Sequence, residues 1–405
     1  MHPRIAQYLK SVYMLKTAPH SCCPSTVPKI NCECVLGKRQ NHPHLIHLGE
    51  VEPLQPGCVA IPKGTKELIF RLTNPDAEGM NPETRVENEV AIITLASAAL
   101  KSFTPHVVPS VYAWGSAATK SSQGYILQEL MMGTPKRQIF AQMAKMLKSL
   151  QDFQLPESIV EFGGVTFDET GSIVSTAMTS VGAGPWPSYE SSFRGRLEVA
   201  LKKADENPYI KGWHGNGVRE RLNAFVDRGM PAQFQTLRSK EEKTIVHADF
   251  TTDNLLFDST SGHITALLDY DFAWVSHPSY EFLRSFDGAG GQFRGWSDDE
   301  DSEQTALRKA KLHGFPSPLS QATKDGVKWD VVKAWEDELE KMEVKCPRTI
   351  EGIDKVADVD SILRTILPWR VSNSDILRLQ SERVIMKCRE ESEIHLVKTL
   401  DRLGF

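Results

Sequence analysis

The first third of the chain contains short apolar runs that are separated by polar segments and by residues that favour turns. Apolar residues at 35–37 and 45–48 flank the polar connection GKRQNHP, and the run ELIFRL follows at 67–72. Short apolar runs bounded in this way are typical of β-strands. The pattern therefore predicts a small antiparallel sheet in this part of the chain.

The spacing of apolar residues then changes to that of helices. Between residues 82 and 100, apolar side chains recur every three or four positions, which places them on one face of a helix. A strand at 125–130, YILQEL, is followed by the break MMGTP and by a second amphipathic helix at 139–150. We place a lobe boundary at this break, which divides the chain into residues 1–132 and residues 133–405.

The C-terminal lobe begins with mixed elements and continues as helices and loops. The predicted elements before Tyr280 are a hairpin at 162–175, helices at 193–204 and 217–227, and strands at 255–257 and 264–268. After Tyr280 only helix and loop patterns occur. In the later segment WSDDEDSEQ, Ser297 is predicted to cap a helix whose first turn carries acidic residues.

Composition and charge narrow the possible classes of protein. The chain has 405 residues, a hydrophobic share of 40% and a charged share of 24%, which is typical of globular proteins and excludes collagenous and disordered ones. At about 150 residues per domain, this length fits two or three domains or one bilobal unit. The net charge of -5 provides no bulk positive field, so nucleic acid is not expected as a partner.

The chain shows neither a membrane span nor a secretory signal. No segment has the roughly 20 consecutive apolar residues that a membrane-spanning helix needs, so no membrane partner is expected. The N-terminal segment MHPRIAQYLKSVYMLK mixes basic and apolar residues, whereas a secretory signal separates them. These patterns predict a reducing, cytoplasmic location.

Four of the seven cysteines lie close together near the N-terminus, at Cys22, Cys23, Cys32 and Cys34. Such a cluster invites a metal or redox interpretation. However, the cluster lacks paired CxxC motifs, and no HxxxH follows that would complete a tetrahedral site. We therefore favour reduced thiols in a strand and in the segment that precedes it. The three isolated cysteines are expected to be packing residues.

The segment HADFTTDN contains the strongest chemical signal of the sequence. Asp249 follows His247 by two residues and Asn254 follows Asp249 by five, and a strand, a turn and the apolar strand LLDYD then lead to Asp269 and Asp271. The alternative, in which these residues only cap, turn and end strands, requires three independent coincidences. The order of the residues therefore favours a functional site.

This order matches the needs of phosphoryl transfer. One carboxylate must orient the attacking hydroxyl and accept its proton, and Asp249 supplies it. Magnesium must be held against the nucleotide phosphates, and it usually takes one or two oxygen ligands from the protein. Asn254 and Asp269 supply one amide and one carboxylate oxygen. These assignments predict a kinase that uses ATP and Mg²⁺.

HADFTTDN and LLDYD together resemble the aminoglycoside phosphotransferase and choline kinase family, whose members are small-molecule relatives of protein kinases. Similar segments are GKRQNHPHLIHL, YILQELMMG, FGGVTFDETGSI and HPSYEFLRSF, so the resemblance extends over about residues 30–290. It implies an α+β, bilobal, protein-kinase-like fold with a small antiparallel-sheet N-lobe and a mainly helical C-lobe. It also implies phosphorylation of a hydroxyl group on a small molecule.

The resemblance assigns further residues to the nucleotide site. It makes Asp249 the catalytic base, Asn254 and Asp269 the metal ligands, and His247 a residue that braces the loop. Glu129 and Met131 stand at the hinge, where backbone groups would contact the adenine of ATP. Glu281 stands where many relatives have aspartate, and it is expected to accept hydrogen bonds from the loop backbone.

Two features depart from the family pattern. The run ELIFRL places Arg71 where such kinases usually have a lysine, and arginine grips phosphate with a different geometry and reach. Glu89 is the expected partner of Arg71, since it lies beside the apolar stripe of its helix and a buried carboxylate requires a counter-charge. The nucleotide loop has the single glycine Gly37, so fewer backbone amides can approach the phosphates.

Two alternatives follow from these departures and from the fold. A pseudokinase that binds nucleotide or a partner without turnover is the main alternative to an enzyme. A protein kinase is disfavoured, since no long activation segment separates LLDYDF from HPSYEF.

The acidic residues around the catalytic loop favour a cationic or neutral acceptor over an anionic one, although Arg284 and Arg294 follow downstream and could reverse the local field.

Overall fold

The computed structural model describes most of the chain, and it describes the strands before residue 50 by their backbone alone. The described residues are 9–17, 29–34, 46–47, 55–65, 67–73, 80–117, 123–132, 139–297, 299–319 and 326–405. The strand predicted at 35–37, the connection GKRQNHP, Cys22, Cys23 and Gly133 lie outside these residues.

The N-terminal lobe contains an antiparallel sheet of six described strands. They are β1 (Leu9–Thr17), β2 (Lys29–Cys34), β3 (Ile46–His47), β4 (Glu67–Thr73), β5 (Val111–Gly115) and β6 (Tyr125–Glu129). Their order is β3-β2-β1-β4-β6-β5, and every neighbouring pair is antiparallel. The predicted small sheet is confirmed. The sequence did not predict β1, since Lys10, Ser11 and Lys16 interrupt its apolar pattern.

One long helix, α1 (Pro82–Ala99), follows β4 and lies over the sheet. The side chain of Asn81 caps it by accepting a hydrogen bond from the Glu83 N–H at 3.1 Å, and Pro82 occupies its first turn, where no N–H is needed. The helix packs against β5 and against a hairpin of the C-terminal lobe. Because it is covered from both sides, even its charged residues Arg85 and Glu89 are buried.

The C-terminal lobe is mainly helical, with three short pairs of strands. Its elements are α2 (Phe140–Asp152), β7 (Gly164–Phe167), β8 (Ile173–Thr176), α3 (Tyr189–Glu206), α4 (Val218–Ala224), a π-helical turn (Phe225–Gly229), α5 (Met230–Phe234), β9 (Thr244–Val246), β10 (Leu255–Asp258), β11 (His263–Leu267), β12 (Trp274–Ser276), α6 (Ser279–Arg284), α7 (Glu303–His313), α8 (Trp329–Lys341), α9 (Ile353–Ile366), α10 (Trp369–Ser372), α11 (Ser374–Leu379) and α12 (Glu382–Leu403). The predicted hairpin, the strand pair and the helical remainder are confirmed, and so is the α+β class of the fold. Within the described residues, no helix has the length and hydropathy needed to span a membrane.

The predicted cap at Ser297 is wrong. Helix α7 begins after Ser302, whose side chain accepts a hydrogen bond from the Thr305 N–H, while Ser297 accepts one from the Asp299 N–H in the preceding turn. Both serines precede acidic residues, so the local pattern fits either position. Ser302 is selected because the following residues bury one face of α7, including Thr305 and Leu307.

A large apolar core joins the two lobes and also takes up the isolated cysteines. It includes residues of α1, α2, α3 and α9. Cys346 is buried in it, and Cys58 and Cys388 are half-buried against it. All three are free thiols, which confirms their prediction as packing residues.

Two short antiparallel pairs hold the predicted catalytic segments. Strand β9 pairs with β12, and β10 pairs with β11. The loop from His247 to Asn254 connects β9 to β10, and the segment from Leu268 to Ala273 connects β11 to β12. Each loop therefore runs from one strand pair to the other. Because the two loops share both strand pairs, they lie side by side.

Candidate active site

Helix α6 anchors the loop that carries Asp249. Its residue Glu281 accepts hydrogen bonds from the backbone N–H groups of His247 at 2.7 Å and of Ala248 at 2.9 Å. Ser285 of the next turn donates to Glu281 and accepts from the Phe250 N–H at 2.9 Å. Burial raises the pKa of Glu281 to about 7, although these donors oppose the shift. The bonds expected between Glu281 and the loop backbone are confirmed.

His247 links this loop to the segment that contains Asp269. Its Nδ1 accepts a hydrogen bond from the Asp249 N–H at 3.3 Å, so the ring proton resides on Nε2 and is donated to the Leu268 carbonyl at 3.0 Å. Burial lowers the pKa of His247 to about 4. The ring is therefore neutral near pH 7 and braces the two loops without carrying a charge.

Asn254 holds Asp249 in position. Its side-chain Nδ2 donates to the Asp249 carbonyl oxygen at 2.8 Å and to Asp249 Oδ2 at 3.0 Å. The Asn254 carbonyl also accepts a hydrogen bond from the Leu268 N–H at 2.9 Å, which places Asn254 next to the residue before Asp269. Because Nδ2 is engaged by Asp249, the amide oxygen of Asn254 is the atom suited to a metal.

Asp269 has the properties expected of a metal ligand. It follows β11 in the left-handed backbone region, at φ 66, and its Oδ1 is shielded from solvent without a hydrogen-bond partner. Burial and the neighbouring Asp271 raise the pKa of Asp269 to about 7. A buried carboxylate oxygen without a donor is costly, and a metal ion would offset that cost.

The donor set fits magnesium better than a metal held by protein ligands alone. In the part of the chain that the structure describes, no group of three or more His, Cys, Asp or Glu side chains is arranged to hold a metal. Asn254 and Asp269 offer two hard oxygen ligands, which is the number that Mg²⁺ commonly takes from proteins that also bind phosphates.

A buried charge network connects the sheet, α1 and the Asp269 segment. Arg71 Nη1 lies 2.5 Å from Glu89 Oε1, and Arg71 Nη2 lies 3.9 Å from Asp271 Oδ1. Arg85 binds Asp271 through two nitrogens, Nε at 3.2 Å from Oδ1 and Nη2 in close contact with Oδ2. Burial raises the pKa of Asp271, but Arg85 and Arg71 outweigh it and lower that pKa to about 2.

The network contains one predicted pair and one pair that the sequence analysis missed. The expected contact between Arg71 and Glu89 is formed, whereas the contact between Arg85 and Asp271 was not predicted. Arg85 stands four residues before Glu89 and therefore lies on the same face of α1. The argument that a carboxylate on that face needs a counter-charge applies equally to an arginine there, so the sequence indicated that Arg85 needs a carboxylate partner, but not that this partner is Asp271.

The network holds more carboxyl groups than guanidinium groups, and burial, together with the neighbouring Asp271, raises the pKa of Glu89 to about 8. Two guanidinium groups, on Arg71 and Arg85, face the three carboxylates of Glu89, Asp269 and Asp271. An unbalanced charge in a buried site is costly. A divalent cation at Asp269 would reverse the imbalance, and the phosphates of a nucleotide would in turn compensate the cation.

The two hinge residues differ in the groups that they can offer. The Glu129 N–H donates to the Ser110 carbonyl at 2.8 Å, and the Glu129 side chain accepts from the Ser110 N–H at 3.1 Å and contacts His106 at 2.7 Å. The N–H of Glu129 is therefore engaged within the sheet, so its carbonyl is the group suited to an adenine. Met131 follows two residues later and is half-buried.

A cavity of about 910 Å³ opens beside Asp249 and Asp269. Its walls come from α7, α9, the start of α10 and the segment 292–297. Basic residues, among them Arg284, Arg294 and Arg308, line it together with acidic ones such as Asp354 and Asp360. The acidic excess around the catalytic loop therefore does not continue through the cavity.

The amino-acid sequence matches one protein-family model. A model described as the phosphotransferase enzyme family matches residues 59–318. This range contains the catalytic loop, the Asp269 segment and the charge network. No curated protein matches the chain.

Several solved structures resemble the chain at low sequence identity. A protein classed as a fructosamine-3-kinase from Haemophilus somnus 129PT is 10% identical, with coverage of 94% of this chain and 92% of that chain and a TM-score of 0.45. Ethanolamine kinase of Plasmodium vivax is 10% identical, with coverage of 94% and 82% and a TM-score of 0.41. A thermostable mutant of aminoglycoside phosphotransferase APH(4)-Ia, in a ternary complex with AMP-PNP and hygromycin B, is 13% identical, with coverage of 96% and 94% and a TM-score of 0.42.

Proposed function

Because the chain belongs to the phosphotransferase enzyme family, we propose that it transfers a phosphoryl group from ATP, with Mg²⁺, to a hydroxyl group of a small molecule. The observation that carries this proposal is the placement of Asp249 and Asp269 in the wall of one cavity, with the buried Asn254 bonded to Asp249. Asp249 is held there by the Asn254 amide, next to the unpartnered Oδ1 of Asp269. These are the base and the two oxygen ligands that phosphoryl transfer requires.

In this mechanism Asp249 orients the acceptor hydroxyl and accepts its proton as the oxygen attacks. Asn254 keeps the Asp249 carboxylate in position through Nδ2 and, with Asp269, would hold the metal ion. When bound, Mg²⁺ neutralises charge on the phosphates. Arg71, oriented by Glu89, contacts a phosphate oxygen, and backbone groups of Glu129 and Met131 contact the adenine.

The proposal includes the division of labour between the lobes and the type of acceptor. Residues 1–132 form the nucleotide-binding lobe, residues 133–405 form the catalytic and substrate lobe, and the nucleotide lies between them. The acceptor is a cationic or neutral small molecule. The carboxylates of Asp249 and Asp269 at the inner end of the cavity support this choice over an anionic acceptor.

Thermal stability in the presence of ligands tests the nucleotide site. We expect ATP and Mg²⁺ together to raise the melting temperature more than either one alone, because a ligand that binds only the folded state stabilises that state. At about 100 times the dissociation constant, the gain is roughly 2.7 kcal/mol. An Asp269→Ala variant should lose most of the effect of the metal. An unchanged melting temperature at millimolar ATP and Mg²⁺ would contradict a working kinase site.

The arginine on β4 motivates the second candidate function, a pseudokinase that binds nucleotide without turnover. ADP release by the unmodified protein separates the two functions, and Arg71→Ala tests the part that Arg71 plays in the site. In an enzyme, this change should raise the apparent KM for ATP and also cost about 1–3 kcal/mol of stability, since Glu89 would remain buried without its partner. Arg71→Lys is the matched control, because it keeps the charge and restores the residue typical of such kinases.

The readouts are steady-state ADP release and chemical denaturation. Kinetics and stability that are both unaltered in Arg71→Ala would remove Arg71 and Glu89 from the proposed site. Nucleotide binding without ADP release, for every acceptor tried with the unmodified protein, would favour the pseudokinase.

A further inference from the structure

The cavity beside Asp249 is large for a small amino alcohol. Its volume of about 910 Å³ lies at the upper end of the range typical of pockets for drug-sized ligands. The residues that line it come from the C-terminal lobe. The volume therefore belongs to the acceptor side of the site and does not include the adenine pocket.

Two tryptophans give this cavity an aromatic wall. Trp369, at the start of α10, is 43% exposed and makes no ring contact with the described residues. Trp296 is covered on one side by the guanidinium of Arg402, 4.9 Å from its ring centroid. Both tryptophans line the cavity, together with Phe293 and Leu367. An exposed tryptophan in a cavity wall is suited to pack against a ring of the ligand.

The charged groups of the wall largely neutralise one another. Arg308 Nη2 lies 3.0 Å from Asp358 Oδ1, and Arg364 Nε lies 2.5 Å from Asp360 Oδ2. Lys309 likewise pairs with Glu300 at 3.2 Å. Arg284 and Arg294 also line the cavity, but the acidic side chains in the lining equal the basic ones in number, five of each. A neutral acceptor therefore suits this wall better than a charged one.

We propose that this cavity binds a neutral, drug-sized acceptor that carries an aromatic part and at least one hydroxyl group. The aromatic part packs on Trp296 and Trp369, and the hydroxyl group reaches Asp249, where it is phosphorylated. This inference rests on the proposed function and narrows its acceptor class to neutral compounds with a ring.

Equilibrium binding of matched glucosides tests the inference. The probes are methyl, phenyl and 2-naphthyl β-glucoside, with ethanolamine as a small cation, titrated calorimetrically in the presence of Mg²⁺ and AMP-PNP. The three glucosides carry the same sugar hydroxyl groups and differ only in the apolar part. We expect the naphthyl compound to bind at least about tenfold more tightly than the methyl compound, because it buries an additional ring system.

Two variants assign the effect to the cavity wall. Trp369→Ala should weaken naphthyl glucoside binding by about fivefold to tenfold and leave methyl glucoside binding and the melting-temperature shift by ATP and Mg²⁺ unchanged. Leu379→Ala is the matched control, since Leu379 is an 83% exposed apolar residue on α11 outside the cavity, and it should change neither. The same order of preference is expected in ADP release from ATP.

Three outcomes would overturn the inference. They are equal binding of the three glucosides, no binding of the naphthyl glucoside at millimolar concentration, and tighter binding of ethanolamine than of the aryl glucosides. Each of these results is compatible with a normal melting-temperature shift by ATP and Mg²⁺, which tests the nucleotide site separately. A missing shift, in contrast, would contradict the proposed function itself.

Discussion

Replacing Asp249 by asparagine should remove most of the phosphotransferase turnover and leave nucleotide binding nearly intact. The carboxylate is proposed to accept the proton of the acceptor hydroxyl, and positioned proton transfer contributes roughly a hundredfold to a ten-thousandfold in rate. The replacement is nearly isosteric, and its side-chain oxygen can still accept the hydrogen bond that Asn254 Nδ2 donates to Asp249 Oδ2. The loop should therefore keep its shape while it loses its base.

The measurements are ADP release under saturating substrates and the melting-temperature shift by ATP and Mg²⁺. Asp253→Asn is the matched control, because Asp253 lies in the same loop, is exposed and has no proposed role. It should retain normal turnover. A normal rate in Asp249→Asn would show that the base is a different residue, while a lost melting-temperature shift would show that the variant has damaged the nucleotide site.

Replacing Arg85 by alanine should cause the largest loss of stability. Arg85 is 2% exposed and binds Asp271, which is also 2% exposed, through two nitrogens. Its removal leaves a buried carboxylate with the side chain of Glu89 and the more distant Arg71, at 3.9 Å, as partners. Breaking a buried ion pair from one side typically costs about 3–5 kcal/mol. Denaturation by urea measures this loss as a lower midpoint.

Two further variants keep this prediction testable if Arg85→Ala does not fold. Lys333→Ala breaks an exposed pair with Asp337 and should change stability by less than about 0.5 kcal/mol. The double variant Arg85→Met with Asp271→Asn removes the buried charge together with its partner, so it should recover part of the loss. A loss below about 1 kcal/mol in Arg85→Ala would show that Asp271 finds enough compensation elsewhere.

Much of the fold was predictable, since local patterns matched the final elements. The helix at 82–100, the hairpin at 162–175 and the strands that flank DSTSG each had a clear period or turn signal. The predicted cap at Ser297 was wrong because both Ser297 and Ser302 precede acidic residues, and only the burial of one face of α7 decides between the two positions. The sequence showed no apolar alternation for β1, whose pairing with β4 involves distant residues.

The site was predictable where motif spacing determines contacts, and less so where distant residues meet. HxDxxxxN brings Asn254 to Asp249 through a short loop, and the strand pair that follows brings Asp269 beside them. The contact between Arg85 and Asp271 joins residues that are 186 positions apart, so no local spacing predicts it. The roles of Asp249, Asn254 and Asp269 in catalysis stay predictions until the variants are measured.

The contact between Arg85 and Asp271 also bears on how this protein can be regulated. A regulatory movement of α1 away from the segment that carries Asp269 would have to break this contact. Here such a movement would separate two buried charges, at about 3–5 kcal/mol. Since each 1.4 kcal/mol is a factor of ten, a displaced helix would be populated in fewer than about one molecule in a hundred. We therefore expect α1 and the Asp269 segment to stay together whether or not ligands are bound.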